Sequence, residues 1–210
     1  MRKIFKEYSD YIRKCLKDYN NLYKMSKVLS SKDLIINIYQ DIQCKLEISD
    51  KKPGLAILQV GDRKDSNTYI NLKRKKCDEL GIDSFLYLYN KNKSVKDIIK
   101  NISALNNYDN IKGIIVQLPL PDNFTGADEY EILNSVDPKK DVDGFHHHNM
   151  GNLMLNKSSS SLNRCYHIPC TAEGCFRLLK YHNIDILGKH IVIVGSSKGC
   201  WITFILIIIT

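Results

Sequence analysis

The chain has 210 residues, of which 43% are apolar and 26% charged, and its formal net charge is +8. These proportions are ordinary for a globular protein that buries a core. The positive charge is weak evidence for nucleic-acid binding, because residues 73–76 are the only tight basic run and no recognised module or aromatic stacking pattern accompanies it. We therefore expect no nucleic-acid partner, and a basic RNA-binding protein is the alternative.

The seven cysteines are scattered, odd in number and without a Cys-x-x-Cys pair. This pattern favours reduced thiols in an intracellular protein over a disulfide framework. Cys165, Cys170 and Cys175 lie five apart with His167 among them. A zinc site normally has closer spacing, so we predict no metal site.

The amino terminus lacks the long apolar core of a secretory signal. We interpret the basic, tyrosine-rich residues Met1–Tyr23 as an N-terminal extension. We expect a cytoplasmic protein, with a mitochondrion or plastid as the alternative. The apolar stretch Cys200–Thr210 is too short to span a bilayer, so we expect no membrane partner.

The first half of the chain alternates helical and extended patterns. Ser30–Asp33 is typical of a helix start, and apolar residues recur at helical spacing to about Ile48. The run Leu55–Val60 predicts a buried strand. Ser66-Asn67-Thr68 predicts a cap for a helix over Tyr69–Leu80, and Gly81 is expected to end that helix.

The pattern then repeats. A weakly alternating strand is predicted over Ser84–Tyr89, and Ser94 is expected to cap the next helix, which carries apolar residues to Leu105. The β-branched run Ile111–Leu118 fits a central parallel strand. Strands that alternate with helices of this length predict a βαβ layout and a three-layer α/β domain.

Proline and turn residues follow the third strand. Leu118–Pro121 is expected to form a rigid wall beyond the strand end, because Pro119 and Pro121 stiffen it. Ala127–Ser135 predicts a short helix. A turn-rich loop carries Asp141 and Asp143, and the serine-rich residues 156–163 predict a further loop.

A second unit is predicted from about Thr171, which is expected to cap a helix to about Asn183. His190–Val194 predicts a strand, and the glycine turn that begins at Gly195 follows it. A strand followed by such a turn is typical of the opening of a dinucleotide-binding fold. The two glycines, Gly195 and Gly199, do not have the spacing of a full GxGxxG motif.

Tyr69 and Lys73 lie four positions apart, so they share one face of the predicted helix. That helix begins just past the carboxyl end of a strand, where an open α/β sheet normally binds its ligand. The pair is therefore the starting point for a functional site. The alternative is an ordinary helix surface.

Four pieces of the chain occur in a familiar order, namely VGDRKDSNTYINLKRKKCDELGI, GIIVQLPLP, PKKDVDGFHHHNMG and PCTAEG. Together they resemble the bifunctional methylenetetrahydrofolate dehydrogenase/methenyltetrahydrofolate cyclohydrolase family, from roughly Met25 to Gly195. The resemblance implies a folate-binding catalytic domain over residues 24–165 and the beginning of a Rossmann NAD(P)-binding domain over residues 166–210. It also implies that folate lies between these domains and that the protein is a homodimer.

The activity implied by the resemblance is oxidation of 5,10-methylenetetrahydrofolate by NADP or NAD, followed by hydrolysis of the methenyl product to 10-formyltetrahydrofolate. It places Tyr69 and Lys73 at the family's Tyr-x-x-x-Lys positions, Gln117 at the glutamine of VQLPLP and Asp143 at the second aspartate of DVDG. Lys73 is the implied general acid/base, Gln117 holds it, and Tyr69 stacks on the ring system. Asp143 accepts hydrogen bonds from the pterin, and Leu118 is a further substrate contact.

Gly195, Ser196 and Ser197 are the implied cofactor-binding residues. Ser196 stands where the family usually has arginine, and Lys198 is the alternative charge for a 2′-phosphate. Family members continue for several more strand–helix units, whereas the pattern here changes after Gly199. We interpret this change as a truncated or misread coding region and expect weak or no dehydrogenase activity.

Simpler interpretations exist for each of these residues. Gln117 could merely satisfy backbone groups at a strand end, and Asp141 and Asp143 could be turn residues. We interpret 146–148, three consecutive histidines, as a solvated loop, because adjacent side chains point in different directions. The alternative function is a non-catalytic folate-binding or dimerising remnant.

Overall fold

In the computed structural model of the chain, the described residues are 27–155 and 166–194. The chain divides into two compact units, residues 1–32 and 33–210. Within the first unit, residues 27–31 form no helix or strand. The predictions for 1–23, 156–163, 195–197 and 200–210 concern residues outside the described ranges.

The described part of the chain alternates helices and strands, and two of the strand-to-helix connections position the site. The elements run in the order α1 (Lys32–Ile48), β1 (Gly54–Val60), α2 (Lys64–Leu80), β2 (Asp83–Tyr89), α3 (Val95–Asn106), β3 (Ile111–Val116), α4 (Gly126–Asn134), α5 (His147–Leu155) and α6 (Cys170–Tyr181).

The three strands form one parallel sheet in the order β2-β1-β3. The central strand β1 is almost entirely buried, as its apolar sequence GLAILQV predicts. Leu58 of β1 pairs with Tyr87 of β2 on one side and with Val116 of β3 on the other. The predicted α/β class with parallel strands and crossover helices is therefore confirmed.

Alternation along the strands gives the sheet two apolar faces. Ala56, Leu58 and Val60 belong to the larger core cluster, to which α3 contributes the fully buried Ile98 and Ile102. Each such aliphatic side chain contributes on the order of 1.5–3 kcal/mol when it is buried. The larger cluster thus fixes α3 to one face of the sheet.

The opposite face carries a smaller cluster. Ile57 and Ile115 pack there with Ile70 of α2. Because successive strand residues point to opposite faces, Gln59 and Gln117 lie on this same face, towards α2. Helices thus cover both faces, as expected for a three-layer arrangement.

Two of the predicted caps are correct and two are wrong. The Ser94 side chain accepts a hydrogen bond from the Asp97 amide at 3.2 Å, and Gly81 ends α2 with a φ of 75°. In contrast, α2 begins at Lys64, so Ser66-Asn67-Thr68 lie inside it and do not cap it. Ser66 is buried there, and its amide bonds the Asp65 carboxylate, which lets the helix start one turn earlier.

The cap predicted at Thr171 is also wrong. Helix α6 begins at Cys170, directly after Pro169, and Pro169 makes no side-chain cap. Pro169 occupies the N-cap position with a ψ of 121°, so the helix starts there without a side-chain cap and Thr171 lies inside it.

The predicted strand His190–Val194 is not formed. These residues have neither helix nor strand structure, and all of them except Ile191 are exposed. A strand requires a neighbour to complete its backbone hydrogen bonds, and none of the described segments pairs with this one. An apolar sequence alone therefore did not produce a strand.

Candidate active site

The carboxyl ends of β1 and β3 bring the two central site residues together. The backbone N–H of Gln117 donates to the Leu58 carbonyl at 2.8 Å. This bond continues the hydrogen-bond ladder between β1 and β3 just past the end of β3. From the facing helix α2, the Lys73 ammonium nitrogen donates to Gln117 Oε1 at 3.4 Å. Two residues that are 44 apart in sequence thus meet at the carboxyl ends of the strands, where open α/β folds bind their ligands.

The side-chain amide of Gln117 is oriented by a hydrogen bond to the backbone. Its Nε2 donates to the Leu118 carbonyl at 2.8 Å. A glutamine amide that donates through nitrogen on one side presents its oxygen on the other, and that oxygen faces Lys73. The amide therefore acts as a rigid acceptor for the lysine rather than a freely rotating group.

Asp143 lies near the same lysine. Burial raises the pKa of its carboxyl above 3.8, the positive charge of Lys73 opposes that shift, and the neighbouring Asp141 adds to it. Within the described ranges the structure records no hydrogen bond to the Asp143 carboxylate. A half-buried carboxylate without a protein donor is suited to accept hydrogen bonds from a ligand.

Asp141 has a different task. Its buried carboxylate accepts hydrogen bonds from the amides of Gly144 and His146 at 3.1 and 2.8 Å and from Asn149 Nδ2 at 2.9 Å. The turn-residue interpretation therefore fits Asp141. Its bonds hold the loop that carries Asp143, so one aspartate shapes the loop and the other is left available.

Gly144 connects this loop to the segment before α6. Its φ is 72°, and a Cβ atom added there would lie 2.7 Å from the Pro169 backbone nitrogen. Only glycine allows this close approach without strain. The DVDG and PCTAEG pieces, which are about 25 residues apart in sequence, therefore meet at one point in the fold.

The same contact places Cys170 beside the site, which the sequence did not indicate. Its thiol donates to the Val142 carbonyl at 3.3 Å. Burial raises the pKa of this thiol above 9.0, the negative charge of Asp143 adds to the rise, and Lys73 opposes it. The position of PCTAEG in the four-piece pattern was the only available signal for this neighbourhood.

The other two predicted substrate contacts differ in their surroundings, because Tyr69 is exposed whereas Leu118 packs against the larger core cluster. Tyr69 is 63% exposed on the same helix as Lys73, one turn before it. Leu118 is half-buried, and its peptide bond to Pro119 is cis. An exposed phenol and a proline-stiffened segment can form the walls of a binding site.

The three histidines do not form a solvated loop, contrary to expectation. His146 is buried and holds the His148 amide through Nδ1 at 3.0 Å, while His147 begins α5. Burial lowers the pKa of His146 below 6.5. Within residues 27–155 and 166–194, no group of three or more histidine, cysteine or acidic side chains is arranged to hold a metal ion.

A separate open cavity of about 740 Å³ lies on the β2 side of α2. Its lining includes Gln59, Asp62, Asn67 and Asn71 but none of the predicted site residues. We locate the candidate site by the converging lysine, amide and carboxylate, because a cavity without such chemistry does not identify a reaction.

The residues predicted for the cofactor, Gly195, Ser196 and Ser197, lie outside the described ranges. In the described part of the chain no strand leads to Gly195. The strand of this phosphate-binding motif is therefore not formed by the described residues.

Comparison with known proteins extends the picture. A family model described as the catalytic domain of tetrahydrofolate dehydrogenase/cyclohydrolase matches residues 29–143, more than half of the chain. The chain belongs to this family. The matched region contains Tyr69, Lys73, Gln117 and Asp143, so the whole candidate site lies within the tetrahydrofolate dehydrogenase/cyclohydrolase domain.

Curated relatives in the family include the bifunctional protein FolD of Acetivibrio thermocellus, which is 40% identical over 178 residues, covering 82% of this chain and 58% of that protein. Bifunctional protein FolD 4, chloroplastic, of Arabidopsis thaliana is 44% identical over 146 residues, covering 70% of this chain and 38% of that protein. This chain therefore spans less than two thirds of the length of these relatives.

Solved structures agree with the family. The bifunctional FolD methylenetetrahydrofolate dehydrogenase/cyclohydrolase of Campylobacter jejuni superposes with a TM-score of 0.78 at 35% identity, covering 87% of this chain and 63% of that chain. The Trypanosoma brucei enzyme, solved with NADP cofactor and inhibitor, has a TM-score of 0.76 at 25% identity and covers 88% of this chain and 61% of that chain.

Among the described helices, none is long and apolar enough to cross a membrane.

Proposed function

We propose that this chain binds a tetrahydrofolate derivative at the Lys73–Gln117–Asp143 site and hydrolyses 5,10-methenyltetrahydrofolate to 10-formyltetrahydrofolate. The observation that carries the proposal is the hydrogen bond from Lys73 to Gln117 beside the carboxylate of Asp143, which accepts no hydrogen bond from the described residues. Membership of the tetrahydrofolate dehydrogenase/cyclohydrolase family supplies the substrate class.

Each residue has a role that its surroundings support. Water adds to the methenyl carbon, and the Lys73 amine in its unprotonated form accepts the proton that the water loses. The resulting ammonium then donates that proton to the ring nitrogen as the carbon–nitrogen bond breaks. The added hydroxyl releases its own proton to solvent as its oxygen becomes the carbonyl of the formyl product. Gln117 Oε1 holds the lysine nitrogen in reach of both atoms, and exact placement matters because a shift of about 1 Å can cost roughly 10²-fold in rate.

Asp143 and Tyr69 bind rather than react. The Asp143 carboxylate accepts hydrogen bonds from the pterin nitrogens, and ionisation of this carboxyl is favoured when such donors arrive. The exposed ring of Tyr69 stacks on the folate ring system, and Leu118 contacts the substrate beside Gln117.

For the oxidative half-reaction we propose NADP or NAD as the hydride acceptor, held by Gly195, Ser196 and Ser197. The Trypanosoma brucei relative was solved with NADP, which supports this cofactor class. Because the described residues do not form the supporting strand, we derive no step through the dinucleotide. The hydrolytic half-reaction is the one that the described site can perform.

The decisive experiment compares Lys73→Met with Lys75→Met, an exposed lysine on the same helix. Hydrolysis of 5,10-methenyltetrahydrofolate by this chain is followed spectroscopically, and folate binding is measured by calorimetry. Lys73→Met is expected to lower the rate by about 10²–10⁴-fold while binding persists. Lys75→Met is expected to match the unaltered chain. Undiminished hydrolysis by Lys73→Met would reject the assignment.

A second candidate is a folate-binding or dimerising protein without catalysis. It is favoured by the absence of strand structure at residues 190–194 in the described region ahead of the proposed cofactor turn. Incubation of the chain with 5,10-methylenetetrahydrofolate and NADP or NAD distinguishes the two candidates. Formation of reduced cofactor, or of 10-formyltetrahydrofolate from the methenyl substrate, would eliminate this second candidate.

We also propose the larger organisation implied by the family. The division into an extension (1–23), a folate domain (24–165) and a cofactor-domain beginning (166–210) is tested by limited proteolysis. A homodimer is tested by sedimentation. RNA binding is measured over a range of salt concentrations, and we expect none at any of them, since no nucleic-acid partner is expected. A cytoplasmic location, with mitochondrion or plastid as the alternative, is tested by imaging of a tagged chain.

A further inference from the structure

Two neighbouring glutamines contact α2 from the sheet beneath it. Leu58 pairs with Val116 across β1 and β3, so the next residues, Gln59 and Gln117, lie side by side at the strand ends. Adjacent strands are about 4.8 Å apart. Gln117 contacts Lys73 of the helix, and Gln59 contacts Asn67.

The Gln59 contact is short and joins a buried side chain to a half-buried one. Gln59 is only 3% exposed, and its Nε2 donates to Asn67 Oδ1 at 2.6 Å. Asn67 in turn donates through Nδ2 to Asp62 Oδ1 at 2.7 Å. Asp62 lies in the connection between β1 and α2, so this three-residue chain ties the end of the strand to the first turns of the helix.

The start of α2 is not anchored by a side-chain cap. Arg63 precedes α2 and makes no side-chain cap hydrogen bond. The segment that carries the site residues therefore depends on other contacts for its placement over the sheet. The part-buried bond between Gln59 and Asn67 joins the sheet to the first turns of the helix.

The two glutamine contacts also differ in position on the helix. Asn67 and Lys73 lie six positions apart, which corresponds to about 9 Å along the axis and roughly 120° around it. A helix held at two such points can neither rotate nor slide freely. Tyr69 lies between the two points, so both site residues on α2 fall within the segment that is held.

We propose that Gln59 and Asn67 are positioning residues for Lys73, an inference that rests on the proposed function of that lysine. Their hydrogen bond sets the rotation and height of α2, and the Lys73–Gln117 contact forms only at that setting. The Lys73–Gln117 distance of 3.4 Å is at the long end of hydrogen bonding, so a small shift of the helix breaks it.

The test measures Lys73 directly and needs no catalytic turnover. The whole chain is exposed to limiting acetylating reagent over a range of pH, and mass spectrometry compares acetylation of Lys73 with that of Lys75. Lys75 has a side chain that is 72% exposed and serves as the internal reference. The variants are Gln59→Met, Asn67→Asp, Asn67→Asp combined with Asp62→Asn, Gln117→Met and the exposed control Asn71→Leu.

Each variant has a defined expectation. Gln117→Met is expected to raise the Lys73/Lys75 ratio about fivefold, as loss of one hydrogen bond implies, and Gln59→Met is expected to do the same. Asn67→Asp places a carboxylate against the carboxylate of Asp62, and it is expected to change the Lys73/Lys75 ratio similarly. Combination with Asp62→Asn restores a donor facing an acceptor, so the ratio and its pH profile are expected to recover.

Three results would overturn the inference. The first is a change in Gln117→Met with no change in Gln59→Met and Asn67→Asp, because the lysine would then be placed without the Gln59 contact. The second is no change in Gln117→Met, because the lysine would then not be held by Gln117 at all. The third is a change in Asn71→Leu equal to the others, because it would show a general loosening of the helix. Failure of the proposed function would appear separately, as no folate turnover by the unaltered chain.

Discussion

The Lys73 ammonium nitrogen and Gln117 Oε1 lie 3.4 Å apart across 44 residues of sequence. This contact joins the helix after β1 to the end of β3 and places an amine next to an oriented amide. The oxygen that faces the lysine does so because the amide nitrogen is already bonded to the Leu118 carbonyl. The predictions below test what this arrangement and its supports contribute.

Replacement of Gln117 by methionine keeps the length of the side chain and removes its acceptor. We expect hydrolysis of 5,10-methenyltetrahydrofolate to fall by about 10-fold to 100-fold, because Lys73 is no longer held in place. Steady-state kinetics would check this, with Lys112→Met, an exposed residue of β3, as the control. A loss of kcat/KM that comes only from a higher KM, with kcat unchanged, would show that Gln117 binds substrate without placing the lysine.

Replacement of Asp143 by asparagine is expected to stabilise the protein and weaken the site. Burial raises the pKa of the folded carboxyl above 3.8, so the stability that its protonated form provides is present at low pH and is lost as pH rises through the raised pKa. Asp143→Asn removes this loss, so its melting temperature is expected to exceed that of the unaltered chain at pH 7 and to approach it at pH 3.

The same substitution removes the negative charge that faces the ligand. Folate affinity is expected to fall by roughly 10-fold to 100-fold, as for the loss of a charge-assisted hydrogen bond. Calorimetric titration at pH 7 measures this fall. Equal affinity in the two proteins would show that the carboxylate does not contact the substrate, even if the stability difference is found.

Replacement of Gly144 by alanine is expected to destabilise the fold by about 2 kcal/mol or more, because an L-residue is strained at positive φ and the added methyl meets Pro169. Chemical denaturation measures the change in the free energy of unfolding. Gly174→Ala is the matched control, since nothing lies within 4 Å of its added Cβ. In the middle of α6 that change is expected to stabilise by up to about 1 kcal/mol. A neutral Gly144→Ala would contradict the close approach.

His146 is expected to make stability depend on mildly acidic pH. Burial lowers the pKa of the folded imidazole below 6.5, the neighbouring His147 adds to this effect, and Asp141 opposes it. A base whose pKa is lowered in the folded state contributes its whole stabilising effect at pH values above 6.5. This contribution is lost as the pH falls from 6.5 through the lowered folded pKa.

Unfolding free energies of the unaltered chain and of His146→Gln at pH 7.5 and 5.5 provide the measurement. The decrease between the two pH values is expected to be smaller in His146→Gln. The exposed His190 supplies the control, and His190→Gln is expected to retain the full decrease. Identical slopes in all three proteins would remove His146 from the explanation.

Local sequence patterns were sufficient where the cause is local. The alternation and β-branched content of β1, β2 and β3 predicted the strands within one or two residues, and Ser94 caps α3 as its position indicates. Patterns failed where the decision is not local. Ser66 is a good cap in isolation, yet the Asp65 carboxylate and burial of Ser66 move the start of α2 to Lys64.

The two aspartates of the loop show the same limit. Both fit a turn, and nothing in the adjacent residues distinguishes them. The fold directs two backbone amides and the Asn149 side chain to Asp141, which leaves Asp143 without a described donor beside Lys73. Cys170 joined this neighbourhood only through the contact between Gly144 and Pro169.

The sequence by itself therefore determined the α/β class, the order of the strands along the chain and the family, since periodicity and short motifs are carried by neighbouring residues. It also placed Tyr69 and Lys73 on one helix, because a spacing of four is a local property. Only the tertiary structure decided that Gln117 meets Lys73, that Asp143 rather than Asp141 is available, and that residues 190–194 form no strand. The Lys73–Gln117 contact joins residues 44 apart, and Asp141 is bound by Asn149 of the following helix, so the folded chain decides which hydrogen-bond partners meet.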